Sequence, residues 1–206
     1  MRLAIGGPTR DLVPASFADD LAELYAYTRE TGPWGKNVFI RFIQSTYIHV
    51  GRELFLEAMR KQGATHVLWL DTDMSFPRMT AVLLATHEQP IVGCNYRVRQ
   101  PSGQFTAQRD SGELVPTHPH STGLEAVDAI GFGVVLMRTD IVAGLERPWF
   151  RHGLNADGGD IGEDIVFCRA LRQAGHTIYI DHDLSKALGH IGQHTYRTEA
   201  EAVIPA

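Results

Sequence analysis

Asp71 and Asp73 stand one residue apart within T-H-V-L-W-L-D-T-D-M-S-F-P, Thr65 to Pro77. Ahead of them, Val67-Leu68-Trp69-Leu70 is a short apolar run of strand formers, so the two carboxylates fall where a buried strand should emerge. In a parallel sheet, ligands collect at the carboxyl ends of the strands. Two neighbouring carboxylates repel each other unless positive charge lies beside them. A divalent cation carrying a phosphate meets that need, and hard oxygen donors suit Mg²⁺ or Mn²⁺. Taken alone, D-x-D is equally well explained by one Asp capping the next turn and the other in solvent. A second acidic pair, Glu163-Asp164, precedes a helical stripe of Ile165, Val166, Phe167, Ala170, Leu171 and Ala174 that stops at Gly175. Acids in a helix's first turn are favoured by the dipole, which gives this pair a structural explanation too.

The elements that must position these acids follow from the pattern of the chain. Leu3-Ala4-Ile5 predicts a first strand ending in Gly6-Gly7-Pro8-Thr9-Arg10. Such a glycine-rich turn lets a nucleotide approach the backbone, although neither G-x-G-x-x-G nor G-K-[ST] is present. Ser16 is a candidate cap for a helix using Phe17, Leu21, Leu24 and Tyr25 and ending near Gly32-Pro33. Val38 to Ile43 is strand-like with the polar exit Gln44-Ser45-Thr46, and a stripe from Ile48 through Met59 stops at Gly63. Strand and helix thus alternate up to Asp71, the signature of a doubly wound parallel sheet.

A helix through Val82-Leu83-Leu84 and a strand at Ile91 to Cys94 come next. From Gln100 to Thr122, Pro, Gly, Ser and His dominate, which predicts a loop or small antiparallel hairpin of the kind that carries acceptor contacts. His118 and His120 lie there and read as surface histidines rather than a metal pair. Gly131 and Gly133 separate two strand segments, Ala126 to Ile130 and Val134 to Met137, and point to a bulge or a close approach of the backbone to a ligand. Trp149 and Phe150 offer either a stacking surface for a sugar or core packing. Asn155 to Gly162 reads as a mobile segment. After a last strand, Thr177 to Ile180, come His182, His190 and His194; Gly189 and Gly192 argue against a helix that would join the last two.

At 206 residues and 44% hydrophobic content, residues 1–206 suffice for one α/β domain with a proper core. The formal charge of -5 and pI near 6.0 argue against nonspecific binding to nucleic acid or an anionic membrane surface. Cys94 and Cys168 read as reduced core residues of a cytoplasmic protein, a pair that also allows one disulfide. Gly6, Gly7 and Pro8 interrupt the start before a signal-peptide core can form, and no apolar run approaches the roughly 20 residues needed to span a bilayer.

Taken in order, these motifs resemble those of GT-A glycosyltransferases, in particular the short bacterial and phage-type members of the family-2-like group. His49-Val50-Gly51-Arg52-Glu53 looks like the segment that commonly reads A-R-N, with Glu53 in place of the Asn. The strand leading to Asp71-Thr72-Asp73 matches the metal-binding D-x-D, and Val127 to Arg138 the glycine-hinged strands before the acceptor site. Gly162 to Gly175 matches the x-E-D motif and its helix, and Ala187-Leu188-Gly189-His190-Ile191-Gly192 the late histidine of the metal site. The resemblance implies residues 1–98 as a nucleotide-sugar-binding half and 99–206 as an acceptor-side half. It implies Asp73 as a direct metal ligand, Asp71 as a ligand through water or a ribose contact, and His190 as a third ligand. Mn²⁺, which accepts mixed oxygen and imidazole donors, is expected ahead of Mg²⁺. Pro8, Thr9, Arg10 and Arg52 join Asp71 and Asp73 in holding a nucleoside diphosphate sugar. Asp164 is the implied general base of an inverting transfer, Glu163 orients the acceptor or supports the metal region, and Asn155 to Gly162 is a candidate lid.

Two other readings compete. Haloacid-dehalogenase-type phosphatases use D-x-D-x-[TV] with the first Asp as nucleophile. Asp71-Thr72-Asp73-Met74-Ser75 comes close, and Gly159 to Asp164 matches their G-D-x-x-x-D metal loop. Yet no lysine lies between Asp71 and Asp164 to steady a phosphoryl aspartate, and the motif follows the third predicted strand rather than the first. The third reading is a module that binds nucleotide sugar without turnover.

Overall fold

The computed structural model describes residues 1–99, 103–192 and 196–197, the last two by backbone alone. In chain order the elements are β1 (Leu3–Thr9), α1 (Ala15–Thr31), β2 (Val38–Gln44), α2 (Ile48–Lys61), β3 (His66–Leu70), β4 (Met74–Ser75), α3 (Thr80–Thr86) and β5 (Ile91–Gly93). They continue with β6 (Leu124–Val127), β7 (Val134–Arg138), β8 (Gly153–Leu154), β9 (Asp160–Ile161), α4 (Glu163–Gln173), β10 (Ile178–Asp181), α5 (His182–Ser185), β11 (Gly189–His190) and β12 (Tyr196–Arg197).

Seven strands form the central sheet in the order β2-β1-β3-β7-β5-β10-β6. Five run in one direction, and only β7 and β6 oppose their neighbours. The expected α/β class, a doubly wound, mostly parallel sheet of GT-A type with small antiparallel extensions, is the one observed. The extensions are β12-β11-β4 and the hairpin β8-β9.

Side chains alternate along each strand, so a strand buried on both faces is apolar throughout. In β3, Val67 and Trp69 enter one core while Leu68 and Leu70 enter the other; β7 repeats this with Val135 and Met137 against Val134 and Leu136. Phe55, Leu56 and Met59 of α2, with Phe167, Cys168 and Leu171 of α4, cover the first face. Phe17 and Leu24 of α1, with Ala81 and Leu84 of α3, cover the second. α1 begins at Ala15, with Pro14 rather than Ser16 at its cap position. Cys94 and Cys168 are both free and buried.

Two sequence readings change here. The segments around Gly131-Phe132-Gly133 do not form one hinged pair: β7 lies at the centre of the sheet and β6 at its edge. The glycines accommodate a tyrosine rather than a ligand. A Cβ at Gly133 would stand 2.6 Å from the Tyr96 hydroxyl oxygen and one at Gly131 2.7 Å, while the Gly133 N–H donates to that oxygen at 3.0 Å. Trp149 and Phe150 are core residues, 6% and 1% exposed. The Trp149 ring also lies beneath the guanidinium groups of Arg60 and Arg147.

Candidate active site at the carboxyl edge of the sheet

The chain winds outward from β1 to β2, then returns to add β3 on the other side of β1. Such a reversal opens a crevice at the carboxyl ends of the strands. The exits of β1, β2 and β3 surround a cleft of about 490 Å³ lined by Pro8, Thr9, Arg10, Ser45, Thr46, Asp71, Thr72 and Asp73, and by Arg99 and His190 beside Asp73. Gly51 brings α2 against this edge, since a Cβ there would meet Pro8 Cβ at 2.7 Å. A somewhat larger hollow of about 560 Å³ lies at the opposite end of the strands, around Trp34, Thr65, His66 and Arg138. Neither acidic pair faces it, so size does not identify the site here.

The first acidic pair divides at once. Asp71 turns inward: Arg52 Nη2 donates to its two carboxylate oxygens at 3.2 and 3.1 Å. Burial pushes the Asp71 carboxyl above its ordinary value against the pull of Arg52, and the charge of Asp73 adds to the rise. Asp73 faces the cleft. Burial would raise its carboxyl too, but the hydrogen bond and charge of His190, with the charge of Arg99, hold it below the usual range. Arg99 Nη2 lies 2.8 Å from Asp73 Oδ2.

His190 arrives from the far end of the chain because β11 pairs antiparallel with β4, setting His190 opposite Met74, and Ile191 N–H donates to the Asp73 carbonyl at 2.6 Å. Its Nδ1 lies 2.9 Å from the Arg97 carbonyl, which can only accept, so Nδ1 carries the proton. Its Nε2 lies 3.5 Å from Asp73 Oδ2. A carboxylate oxygen and an imidazole nitrogen side by side at the cleft, with the other imidazole nitrogen anchored to a backbone carbonyl, form a pair that a cation could share. Among the described residues no group of three or more His, Cys, Asp or Glu side chains could hold a metal ion. A metal here would complete its shell with substrate phosphates and water, as Mg²⁺ and Mn²⁺ commonly do.

The second acidic pair divides in the same way. Glu163 is 6% exposed and accepts from Arg52 Nη1 at 2.6 Å. Asp164 remains half-buried, and its Oδ1 accepts the Ile165 N–H at 2.8 Å. Burial pushes the Asp164 carboxyl above its ordinary value, partly offset by Arg52 and reinforced by Glu163. Arg52 is therefore the buried cation common to both pairs, 3% exposed, with its guanidinium 5.6 Å from the Phe132 ring centre. Its own pKa is raised: the charges of Asp71 and Glu163 outweigh a burial that alone would lower it. Arg52 Nε has no hydrogen-bond partner among the described residues.

The structure thus gathers Pro8, Thr9, Arg10, Asp71, Asp73 and His190 around one cleft and sets Arg52, Glu163 and Asp164 beside Asp71. Glu53, standing where the resembling motif has Asn, points elsewhere: its carboxylate accepts the N–H groups of Trp149 and Phe150 and the guanidinium of Arg147. His118 and His120 are exposed, and His194 lies outside the described residues. Of Asn155 to Gly162, expected as a mobile segment, residues 155–159 form the turn of the β8–β9 hairpin, Asp160 and Ile161 are β9 and Gly162 caps α4; in the turn Asn155 Oδ1 accepts the N–H groups of Asp157 and Gly159. Sequence reasoning passed over Tyr96, and also His152, whose Nδ1 bonds Asp160 at 3.0 Å while its Nε2 lies 3.9 Å from Glu163 Oε2.

Solved structures share this architecture at low sequence identity. A197 from STIV superposes with a TM-score of 0.61 at 15% identity, over 100% of this chain and 98% of that one. GalNAc-T7, crystallised with UDP, GalNAc and Mn²⁺, gives 0.57 at 12% identity, over 95% of this chain but 44% of that one. The nucleoside-diphosphate-sugar pyrophosphorylase from Vibrio cholerae RC9 gives 0.52 at 14% identity, over 86% and 91%. No protein-family model matches the sequence, and neither does any curated protein. These likenesses establish the fold, and two of the three structures are named for nucleotide-sugar chemistry or its ligands.

Proposed function

We propose that this protein is a glycosyltransferase that takes its sugar from a nucleoside diphosphate donor, using a divalent cation, Mn²⁺ ahead of Mg²⁺. The observation that carries the proposal is Asp73 Oδ2 and His190 Nε2 lying 3.5 Å apart at the cleft of the β1–β3 reversal, with Asp164 of α4 close to Arg52 and Asp71.

In this reading Pro8, Thr9 and Arg10 receive the nucleoside side of the donor, and Arg10 and Arg99 face its phosphates. Asp73 and His190 hold the metal. Asp71, fixed by Arg52, approaches only through water or the ribose. The cation supplies charge stabilisation for the departing nucleoside diphosphate. Asp164 accepts the proton of the acceptor hydroxyl, and its raised pKa suits a base that must strip a weak acid. Such a base implies attack from the face opposite the leaving group, hence inversion. Glu163 supports the arrangement from below through Arg52 rather than touching the acceptor. Residues 1–98 then provide the donor side and 99–206 most of the acceptor side.

The phosphatase reading is weaker because both oxygens of Asp71, its would-be nucleophile, accept from a buried arginine. Asp160 of its would-be metal loop is bonded to His152 in the hairpin. The testing experiment is a thermal-shift screen of UDP-, GDP-, CDP- and dTDP-sugars, each with and without Mn²⁺. A selective, metal-dependent rise in midpoint followed by sugar transfer confirms the proposal. Metal-dependent donor binding with no transfer to any acceptor assigns a silent binding module instead, and phosphate release from a simple phosphoester without nucleotide binding assigns the phosphatase.

A further inference from the structure

Tyr47 is 66% exposed, alone among the described Phe, Tyr and Trp residues in lying open to solvent. Its hydroxyl has no hydrogen-bond partner among the described residues. The ring leans against the half-buried His49, centroids 6.0 Å apart, and His49 meets the exposed His152 edge-on at 5.1 Å. His152 in turn bonds Asp160 and approaches Glu163, the neighbour of Asp164. A continuous row of rings therefore leads from the start of α2 to the carboxylates at the start of α4.

We infer that this row is a sugar-binding subsite for the acceptor, a step that rests on the transferase reading above. A pyranose presents axial C–H groups on one face and hydroxyls around its rim. The electron-rich faces of aromatic rings attract the first, and carboxylates accept hydrogen bonds from the second. Here Tyr47 supplies an exposed ring, while Asp160, 65% exposed and bonded to His152, supplies a carboxylate. Trp149 and Phe150, the aromatic pair that the sequence offers for stacking, are taken up by the core, whereas Tyr47 has no packing role. The subsite commits the acceptor to a carbohydrate or glycoconjugate whose terminal sugar lies along Tyr47, His49 and His152 and directs a hydroxyl toward Asp164.

The test is saturation-transfer NMR with a panel of methyl glycosides of glucose, galactose, mannose and N-acetylglucosamine, on the full chain in the presence of diamagnetic Mg²⁺ and each nucleoside diphosphate. We expect at least one glycoside to receive saturation on a single C–H face. Tyr47→Ala and His152→Ala should each weaken its binding roughly three- to tenfold, and Tyr47→Phe should retain it, because the hydroxyl has no partner. Nucleotide titrations should be unchanged in all three variants. Unchanged glycoside binding in Tyr47→Ala and His152→Ala overturns the inference, as does nucleotide binding with no glycoside contact at all; both leave the transferase reading intact. Weakened nucleotide binding in Tyr47→Ala also overturns it and assigns the ring to the donor base. Glycoside binding without any nucleotide binding keeps the subsite and removes the transferase.

Discussion

The turn after β3 and the first turn of α4 carry the two acidic pairs of this protein, and each divides its pair the same way. Asp71 and Glu163 turn inward onto the single guanidinium of Arg52, while Asp73 and Asp164 stay outside that ion pair. The difference within each pair shows how a fold makes chemistry from repeated residue types. A carboxylate clamped by a buried arginine is fixed in orientation and balanced in charge by that partner, which suits it to positioning. Its neighbour, spared that partner, can bind a cation or take a proton. One arginine on α2 thereby ties the two halves of the site together.

The sharpest way to break this comparison is Asp164→Asn, which should lower kcat by about 10²–10⁴-fold, the usual range for a general base. Metal-dependent donor affinity should be unchanged; full transfer activity in that variant removes Asp164 as the base. Next is Arg52→Met, which strands two inward carboxylates and should destabilise the fold by about 3–5 kcal/mol. Adding Asp71→Asn and Glu163→Gln should recover most of that loss in urea unfolding. Failure to recover would mean that Arg52 acts mainly by packing against Phe132.

A smaller effect separates the outward members. Asp73→Ala and His190→Ala should each raise the dissociation constant for Mn²⁺-dependent nucleotide binding about tenfold, or about 1.4 kcal/mol. Glu163→Gln should leave it nearly unchanged, and equal losses in all three would erase the distinction between inward and outward acids. The smallest effect is one of position on the pH axis. Because burial raises the Asp164 pKa and the base must be ionised, kcat should fall with falling pH at a value above the ordinary carboxylate range. An acidic limb at the unperturbed aspartate value would show that the titrating base is a more exposed group.

Much of the fold was legible because the physics that builds it is local. Val67 to Leu70 and Val134 to Met137 are unbroken apolar runs since both faces of their strands are covered, and Gly63 and Gly175 adopt the positive φ that ends helices. Asp71, Asp73, Glu163, Asp164 and His190 stood out by type and by their place beside those elements. What the sequence hid depends on long-range contacts. Arg52 meets Glu163 across 111 positions, and Tyr96 fills the space above Gly133 across 37. The glycines did signal a close approach, but nothing local says whether a ring or a ligand approaches. Nothing local marks His152, and only the pairing of β8 with β9 brings Asp160 to it.

The placement of β7 also bears on how the molecule is made. β3 and β5 are never neighbours; the strand between them comes some forty residues after β5, antiparallel to both. A nascent chain that has emerged only as far as Gly93 can pair β1, β2 and β3, but it holds β5 with no edge to join. Sheet closure waits for Val134–Arg138, and non-local steps of this kind slow folding. Until then one edge of β3 and both edges of β5 lie open to other chains, so the interval between β5 and β7 is when this protein is most exposed to misassembly.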